Sequence, residues 1–143
     1  MSYESQGSMN AACASNWIYY SPFIGTENAV VEETIDRDPV IWGPGRWAQL
    51  HMMAFSYPIY PTSVQQAQMY RYIQSIPQSL PCRVCRQHAS EYLKSHEKDV
   101  QWATESQKNL FILFVNFHND VNKRLGKRTY TFQDAYDIWS STS

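Results

Sequence analysis

From Trp42 onward the apolar positions fall into helical register. Trp47, Leu50, His51, Ala54 and Phe55 follow at i, i+3, i+4, i+7 and i+8, the spacing of one buried helix face. Pro44 stands where a first helical position is expected, and Tyr57-Pro58 with Pro61 ends the run. A second helix, capped by Thr62 or Ser63, carries Ala67, Tyr70 and Ile73 as far as Ile76-Pro77. Pro81 opens a third, which holds Cys82, Cys85, Ala89, Tyr92 and Leu93. Ser106 caps a fourth and longest, with Leu110, Phe111, Phe114, Val115, His118, Val121, Asn122 and Leu125 on one face and Gly126 just past its end. A short fifth helix runs from Thr131 or Phe132 to Trp139. Strand-like alternation is scarce and no segment repeats. The pattern predicts an all-α fold, a four-helix bundle plus a short fifth helix.

Residues 1–40 sustain no period. Small and polar residues lead to an aromatic patch, Trp17, Tyr19, Tyr20 and Phe23, and then to an acidic stretch ending at Pro39. The chain therefore divides into an N-terminal extension, partly flexible, over 1–40 and a folded domain over 41–143. The aromatic patch either lies on the body or on a partner, or the extension is disordered throughout.

Length and composition change this picture little. At 143 residues the chain suits one domain with a real core. The formal charge of −1 hides an asymmetry: the extension has six acids against Arg37, and the remainder is mildly basic. That balance favours an anionic cofactor but is too weak to indicate nucleic acid. No run approaches a membrane span. The start, with Glu4 among polar residues, lacks the basic and apolar regions of a secretory signal. A soluble, cytoplasmic protein is expected. Three cysteines, an odd number, argue against a disulfide-stapled secreted scaffold.

Candidate chemistry starts with Cys82 and Cys85. Behind Pro81 they fall in the first turn of a helix, where free N–H groups and the macrodipole favour thiolates, and Arg83 and Arg86 add positive charge. In such pairs the first cysteine exchanges with substrates, so Cys82 is expected to face outward and Cys85 inward. A redox dithiol in a helical bundle is the leading reading. A zinc site using both cysteines and two of His88, His96 and His118 stays open, as does a purely structural pair. A thioredoxin-like site would need a βαβ setting that is missing.

The fourth helix carries a second signal. His118, Asn119 and Asn122 lie on or beside its apolar face. Buried polar groups left unpaired cost roughly 1–3 kcal/mol each. A lone histidine there reads as a satisfied core residue; a His with two Asn in five positions reads as a polar pocket. Lys123, Arg124, Lys127 and Arg128 follow at the helix end. They are either a solvated, dipole-favoured terminus or the holders of a pyrophosphate.

Taken in order, these residues resemble the Erv/ALR family of FAD-linked sulfhydryl oxidases. The resemblance runs over roughly the last hundred residues. It rests on Trp42-Gly43-Pro44-Gly45-Arg46-Trp47, Leu50-His51 with Tyr57-Pro58, Cys82-x-x-Cys85-x-x-His88, His118-Asn119-x-Val121-Asn122 and Leu125-Gly126-Lys127. The first of these and the compact size look most like the enzymes of large cytoplasmic DNA viruses. That would make the chain a viral late protein of virion assembly, acting in the host cytoplasm and present in the virion. The resemblance implies FAD at the mouth of the bundle. It implies a flavin site of Arg46, Trp47, His51 and Tyr57 from the first helix, His88 from the third, and His118, Asn119, Val121 and Asn122 from the fourth. Lys123, Lys127 and Tyr130 complete it. A homodimer through the first two helices is implied as well.

The implied activity is thiol oxidation. A substrate dithiol attacks the Cys82–Cys85 disulfide at Cys82, the electrons pass from Cys85 through FAD to O2, and hydrogen peroxide results. Family members often carry a second, shuttle dithiol on a tail; here only Cys13 is left beyond the active pair. It is read as a free thiol, or as a bridge to a second subunit or a partner. Cys82 is then expected to oxidise a thiol-containing protein substrate or a thioredoxin-like relay directly. Ala89 stands where many relatives have an aromatic residue, a change that alters packing more than chemistry. The alternative function is a zinc-stabilised helical binding module with Cys82 and Cys85 as ligands.

Overall fold

Side-chain caps set most of the helix starts. The computed structural model describes residues 35–141, so Cys13 and the aromatic patch at Trp17, Tyr19, Tyr20 and Phe23 lie outside the described residues. Helix α1 spans Pro39–Ser56, α2 Ser63–Ser75, α3 Arg83–Ser95, α4 Glu97–Ala103, α5 Gln107–Arg124 and α6 Phe132–Trp139, with a single 3-10 turn at Pro77–Ser79 before α3. No strand occurs among the described residues. The all-α expectation holds, with one addition: α4 is a short helix that the apolar pattern did not announce. Two Ser/Thr caps fall as expected. Thr62 forms a reciprocal capping box with Gln65, and Ser106 accepts from the Asn109 N–H at 3.1 Å. At the fifth expected helix, Thr131 caps from outside and Phe132 begins α6.

Two starts differ from expectation. Pro44 lies inside α1 and is not its first residue. Pro39 occupies that position, and Asp38 caps it by accepting the Val40 N–H at 2.9 Å. The acidic residue that looked like the end of an extension is thus the helix cap. At α3, Pro81 and Cys82 precede the helix. Cys82 is the N-cap, in extended conformation, and its sulfur accepts the Cys85 N–H at 3.2 Å.

Gly126 ends α5 in the left-handed conformation, φ +67°. The Gly126 N–H bonds the Lys123 carbonyl at 3.2 Å and the Lys127 N–H bonds the Asn122 carbonyl at 2.8 Å. This pair of bonds is a Schellman closure, and it turns the chain back toward α6. Leu125, expected on the buried face, is 54% exposed at this cap.

Helix α5 is central, packed on α1 and α4, while α6 touches both α1 and α5. It buries Leu110, Phe111, Leu113, Phe114, Val115 and Phe117, a wider stripe than one face, as two-sided packing requires. Facing it are Leu50 and Ala54 of α1, Leu93 of α3 and Val100 of α4. Each large side chain fully buried here stabilises the fold by roughly 1.5–3 kcal/mol. Rings join α3 to α5: Tyr92 stacks on Phe117 with centroids 4.5 Å apart.

Candidate active site

Cys82 and Cys85 are joined in a disulfide, with Cα atoms 5.1 Å apart. Both line a cavity of about 620 Å³ between α1, α3, α5 and α6, a size common for organic ligands. Their exposure reverses the expectation: Cys82 is 9% exposed, whereas Cys85 is half-buried. Cys82 is the N-cap of α3, and the chain just before α1 is tied to both of its neighbours. The Arg37 N–H donates to the Pro81 carbonyl at 2.7 Å, and the Arg83 N–H donates to Asp36 Oδ1 at 3.0 Å. Cys82 sits between those two ties. The Arg86 guanidinium donates to the Leu80 carbonyl at 2.9 Å and braces the turn that carries the disulfide.

The wall opposite the disulfide is built from stacked rings. Trp47 lies flat on His118, with centroids 4.2 Å apart and an interplanar angle of 6°. His51 stacks on Trp139 at 5.0 Å. The two imidazoles meet at His51 Nε2 and His118 Nδ1, 2.9 Å apart. Burial lowers both pKa values to about 4; the neighbouring His118 adds to the effect on His51, and Lys127 to that on His118. Both rings are therefore neutral at pH 7, and one donates to the other. His51 Nδ1 is buried with no hydrogen-bond partner. An unpaired acceptor is tolerated better than an unpaired N–H. This favours the tautomer in which His51 donates from Nε2 and His118 keeps a proton on its own Nε2.

Ten of the twelve residues expected to hold the cofactor line this one cavity with the disulfide: Arg46, Trp47, His51, His88, His118, Asn119, Val121, Asn122, Lys127 and Tyr130. Two do not. Tyr57 is buried elsewhere and donates its hydroxyl to the Thr104 carbonyl at 2.6 Å, a contact that joins the end of α1 to the end of α4. Lys123 lines a separate polar hollow with Tyr92, His96 and Asp99.

Within the cavity the polar residues divide by what they already hold. The Asn119 amide donates to the Tyr130 carbonyl at 2.7 Å and accepts the Tyr130 N–H at 2.9 Å, so it clamps the loop between α5 and α6 and has little left for a ligand. Asn122 is 5% exposed, and no side-chain hydrogen bond links it to other described residues. Arg46 is tied to Ser79 and Gln49. Of the basic residues at the α5 end, Arg124 pairs with Asp120 at 3.3 Å and Arg128 approaches Asp134 at 3.7 Å. Lys127 reaches the cavity without an ion pair among the described residues.

Sequence reading missed Trp139 and Ser79 as parts of this site. An aromatic residue ending an amphipathic helix was a usable signal for Trp139. Ser79 had none, because it matters only through Arg46. The zinc reading finds no support: the two cysteines are bonded to each other, and no group of three or more His, Cys, Asp or Glu gathers among the described residues.

Residues 44–140 match the model of the Erv1/Alr family. The chain belongs to that family. A protein of Invertebrate iridescent virus 6, provisionally named a FAD-linked sulfhydryl oxidase, is 41% identical over 95 residues, covering 64% of this chain and 86% of its own length. The FAD-linked sulfhydryl oxidase of African swine fever virus is 31% identical over 101 residues, covering 71% and 82% respectively. Among solved structures, the yeast Erv1 core superposes with a TM-score of 0.67 at 25% identity, over 86% of this chain and 99% of that one. The FAD binding domain of Erv1 from Saccharomyces cerevisiae superposes with a TM-score of 0.65 at 28% identity, over 72% and 94%. The Erv1/Alr match begins at Pro44, so Asp36 and Arg37 precede it.

Proposed function

We propose that this chain is a FAD-dependent thiol oxidase, which forms disulfides in protein substrates through Cys82–Cys85 and delivers the electrons to O2 as hydrogen peroxide. The carrying observation is that the disulfide opens onto the same cavity as the paired neutral histidines and a buried Arg46 Nε that has no partner among the described residues. That cavity fits a flavin nucleotide. It has flat rings for a flat heterocycle in Trp47, His118 and Trp139, and a buried amide for polar edges in Asn122. Lys127 is free for a phosphate. His88, Val121 and Tyr130 complete the wall, and Arg46, braced by Ser79, holds positive charge beside it.

The chain's own residues account for the thiol half of the reaction. A substrate thiolate bonds to Cys82 Sγ as the Cys82–Cys85 bond breaks, and Cys85 leaves as a thiolate. The substrate's second thiolate then attacks the mixed disulfide, and Cys82 leaves. Its sulfur is already placed to accept the Cys85 N–H at the positive end of α3, which stabilises the departing thiolate. The pair has gained two electrons and stands as thiolates; closing the disulfide again requires an acceptor for both electrons. FAD, when bound, supplies a two-electron acceptor that O2 reoxidises. Keeping His51 and His118 neutral leaves their proton positions fixed by the hydrogen bond between them.

Finer parts of the reading are also proposals. Direct oxidation of a protein dithiol or a thioredoxin-like relay is supported by the single cysteine, Cys13, outside the active pair. A homodimer through α1 and α2 is supported by the exposed apolar side chains of Met52, Ile59, Tyr60 and Val64; light scattering giving a monomer mass would overturn it. The division into an extension over 1–40 and an oxidase domain is part of the same proposal. So is a host-cytoplasm setting in virion assembly, drawn from the viral relatives. No described helix is long and apolar enough to cross a membrane. Dithiothreitol-dependent oxygen uptake with stoichiometric peroxide tests the oxidase activity, and its absence in yellow, folded protein would refute it.

A further inference from the structure

The ties between residues 36–37 and the turn that holds Cys82 are the feature that the oxidase reading leaves unused. Asp36 and Arg37 run beside Pro81-Cys82-Arg83 and are fastened at three points. The Arg37 N–H donates to the Pro81 carbonyl, Asp36 Oδ1 accepts the Arg83 N–H, and the Arg37 carbonyl accepts Trp42 Nε1–H at 3.0 Å. Asp38, the cap of α1, fixes the downstream end. Two of the three bonds belong to exposed groups, where the net worth of a hydrogen bond is modest. Between the tied residues Pro81 and Arg83 the attacked cysteine is 9% exposed, less than Cys85, which reverses the order that exchange with a bulky substrate asks for.

We propose that Asp36–Arg37 is a specificity-determining strap, which shields Cys82 from folded-protein thiols and must lift for exchange with them, while small dithiols pass beneath it. The reaction admitted is the exchange already described, in which a bond forms at Cys82 Sγ as the Cys82–Cys85 bond breaks. A small thiol needs only a path to the sulfur. A cysteine carried on a folded surface brings its backbone with it, and that backbone competes for the space held by residues 36 and 37. The two ties flank Cys82, one on the residue before it and one on the residue after, so releasing either end clears the same sulfur.

This proposal rests on the oxidase reading for its kinetic test, and a second readout stands apart from activity. The variants are Asp36→Ala, which removes the acceptor, Arg37→Pro, which removes the N–H, and Asp36→Asn, which keeps an acceptor in place. In the FAD-loaded enzyme, Asp36→Ala and Arg37→Pro should each raise kcat/KM for a reduced protein dithiol such as thioredoxin about fivefold, the worth of one net hydrogen bond. Turnover of dithiothreitol should change less than twofold, and Asp36→Asn should resemble wild type. In parallel, reduced protein carrying Cys13→Ser is alkylated with N-ethylmaleimide or with a polymer-conjugated maleimide, and Cys82 is followed by mass spectrometry. The strap predicts that wild type excludes the bulky reagent from Cys82 and that Asp36→Ala admits it. An unchanged ratio between the two substrates in active enzyme, or a fall with the protein substrate alone, overturns the strap and leaves the oxidase intact. Equal access of both maleimides in wild type overturns the strap even if no preparation consumes oxygen, the result that would refute the oxidase reading by itself.

Discussion

His51 Nε2 and His118 Nδ1 lie 2.9 Å apart across the interface between α1 and α5, which makes the two helices share one proton between two neutral rings. Both pKa values are lowered to about 4, burial being the main cause. In the unfolded chain these histidines take up protons near pH 6.5. The unfolded state therefore binds more protons between pH 6.5 and 4, and stability falls as pH drops through that window. For His51, 1% exposed, the loss is on the order of 3 kcal/mol at the acid end. The melting temperature should decline steeply from pH 6.5 to 4, and His51→Asn should flatten that decline. A curve flat over this range in wild type would contradict the neutral pair.

Removing either half of the disulfide should stop turnover. Cys82→Ser loses the attacked sulfur and Cys85→Ser the sulfur that leaves. Each should cut steady-state thiol oxidation by about a hundredfold or more. Oxygen-electrode assays check this, and full turnover in Cys85→Ser would remove the central role of the pair.

Asn119 acts on the loop and not on a ligand. Asn119→Ala breaks both bonds to the Tyr130 backbone and should cost about 1–3 kcal/mol of stability. The loop it anchors carries Lys127 into the cavity wall, so flavin should also be lost more readily during gel filtration. Calorimetry and the ratio of flavin to protein absorbance read the two effects.

Lys127 should contribute charge to cofactor binding. Lys127→Ala is expected to weaken FAD binding to reconstituted apoprotein by roughly threefold to tenfold, with less effect at high salt. Lys123→Ala, at the separate hollow, should leave the affinity unchanged. Equal effects from both would place the pyrophosphate elsewhere.

Much of this was legible from sequence where the signal is local. Thr62 with Gln65 and Ser106 cap through neighbours three residues away, and Gly126 ends α5 because it adopts φ +67°. Those patterns need no knowledge of the rest of the chain. The failures are the contacts that span it. The turn at Pro81-Cys82-Arg83 is tied to Asp36 and Arg37, more than forty residues earlier, and no periodicity in its own helix records that. Asp38 is a local miss: it caps α1 through the Val40 N–H two residues on, and the acidic run around it hid that signal. Tyr57 bears a hydroxyl that could face a cofactor or a carbonyl, and Thr104 decides between them. Helix α4 escaped because seven residues, Glu97–Ala103, bury only Val100 and Ala103, too few to display a period.

The most direct measurement is the visible absorbance of the purified protein, followed as dithiothreitol is added in air and oxygen is used up and readmitted. The account predicts flavin bands that bleach when oxygen runs out and recover when it returns in wild type, and that resist bleaching in Cys85→Ser. A folded protein that binds no flavin, or one whose flavin bleaches equally fast without Cys85, would contradict it.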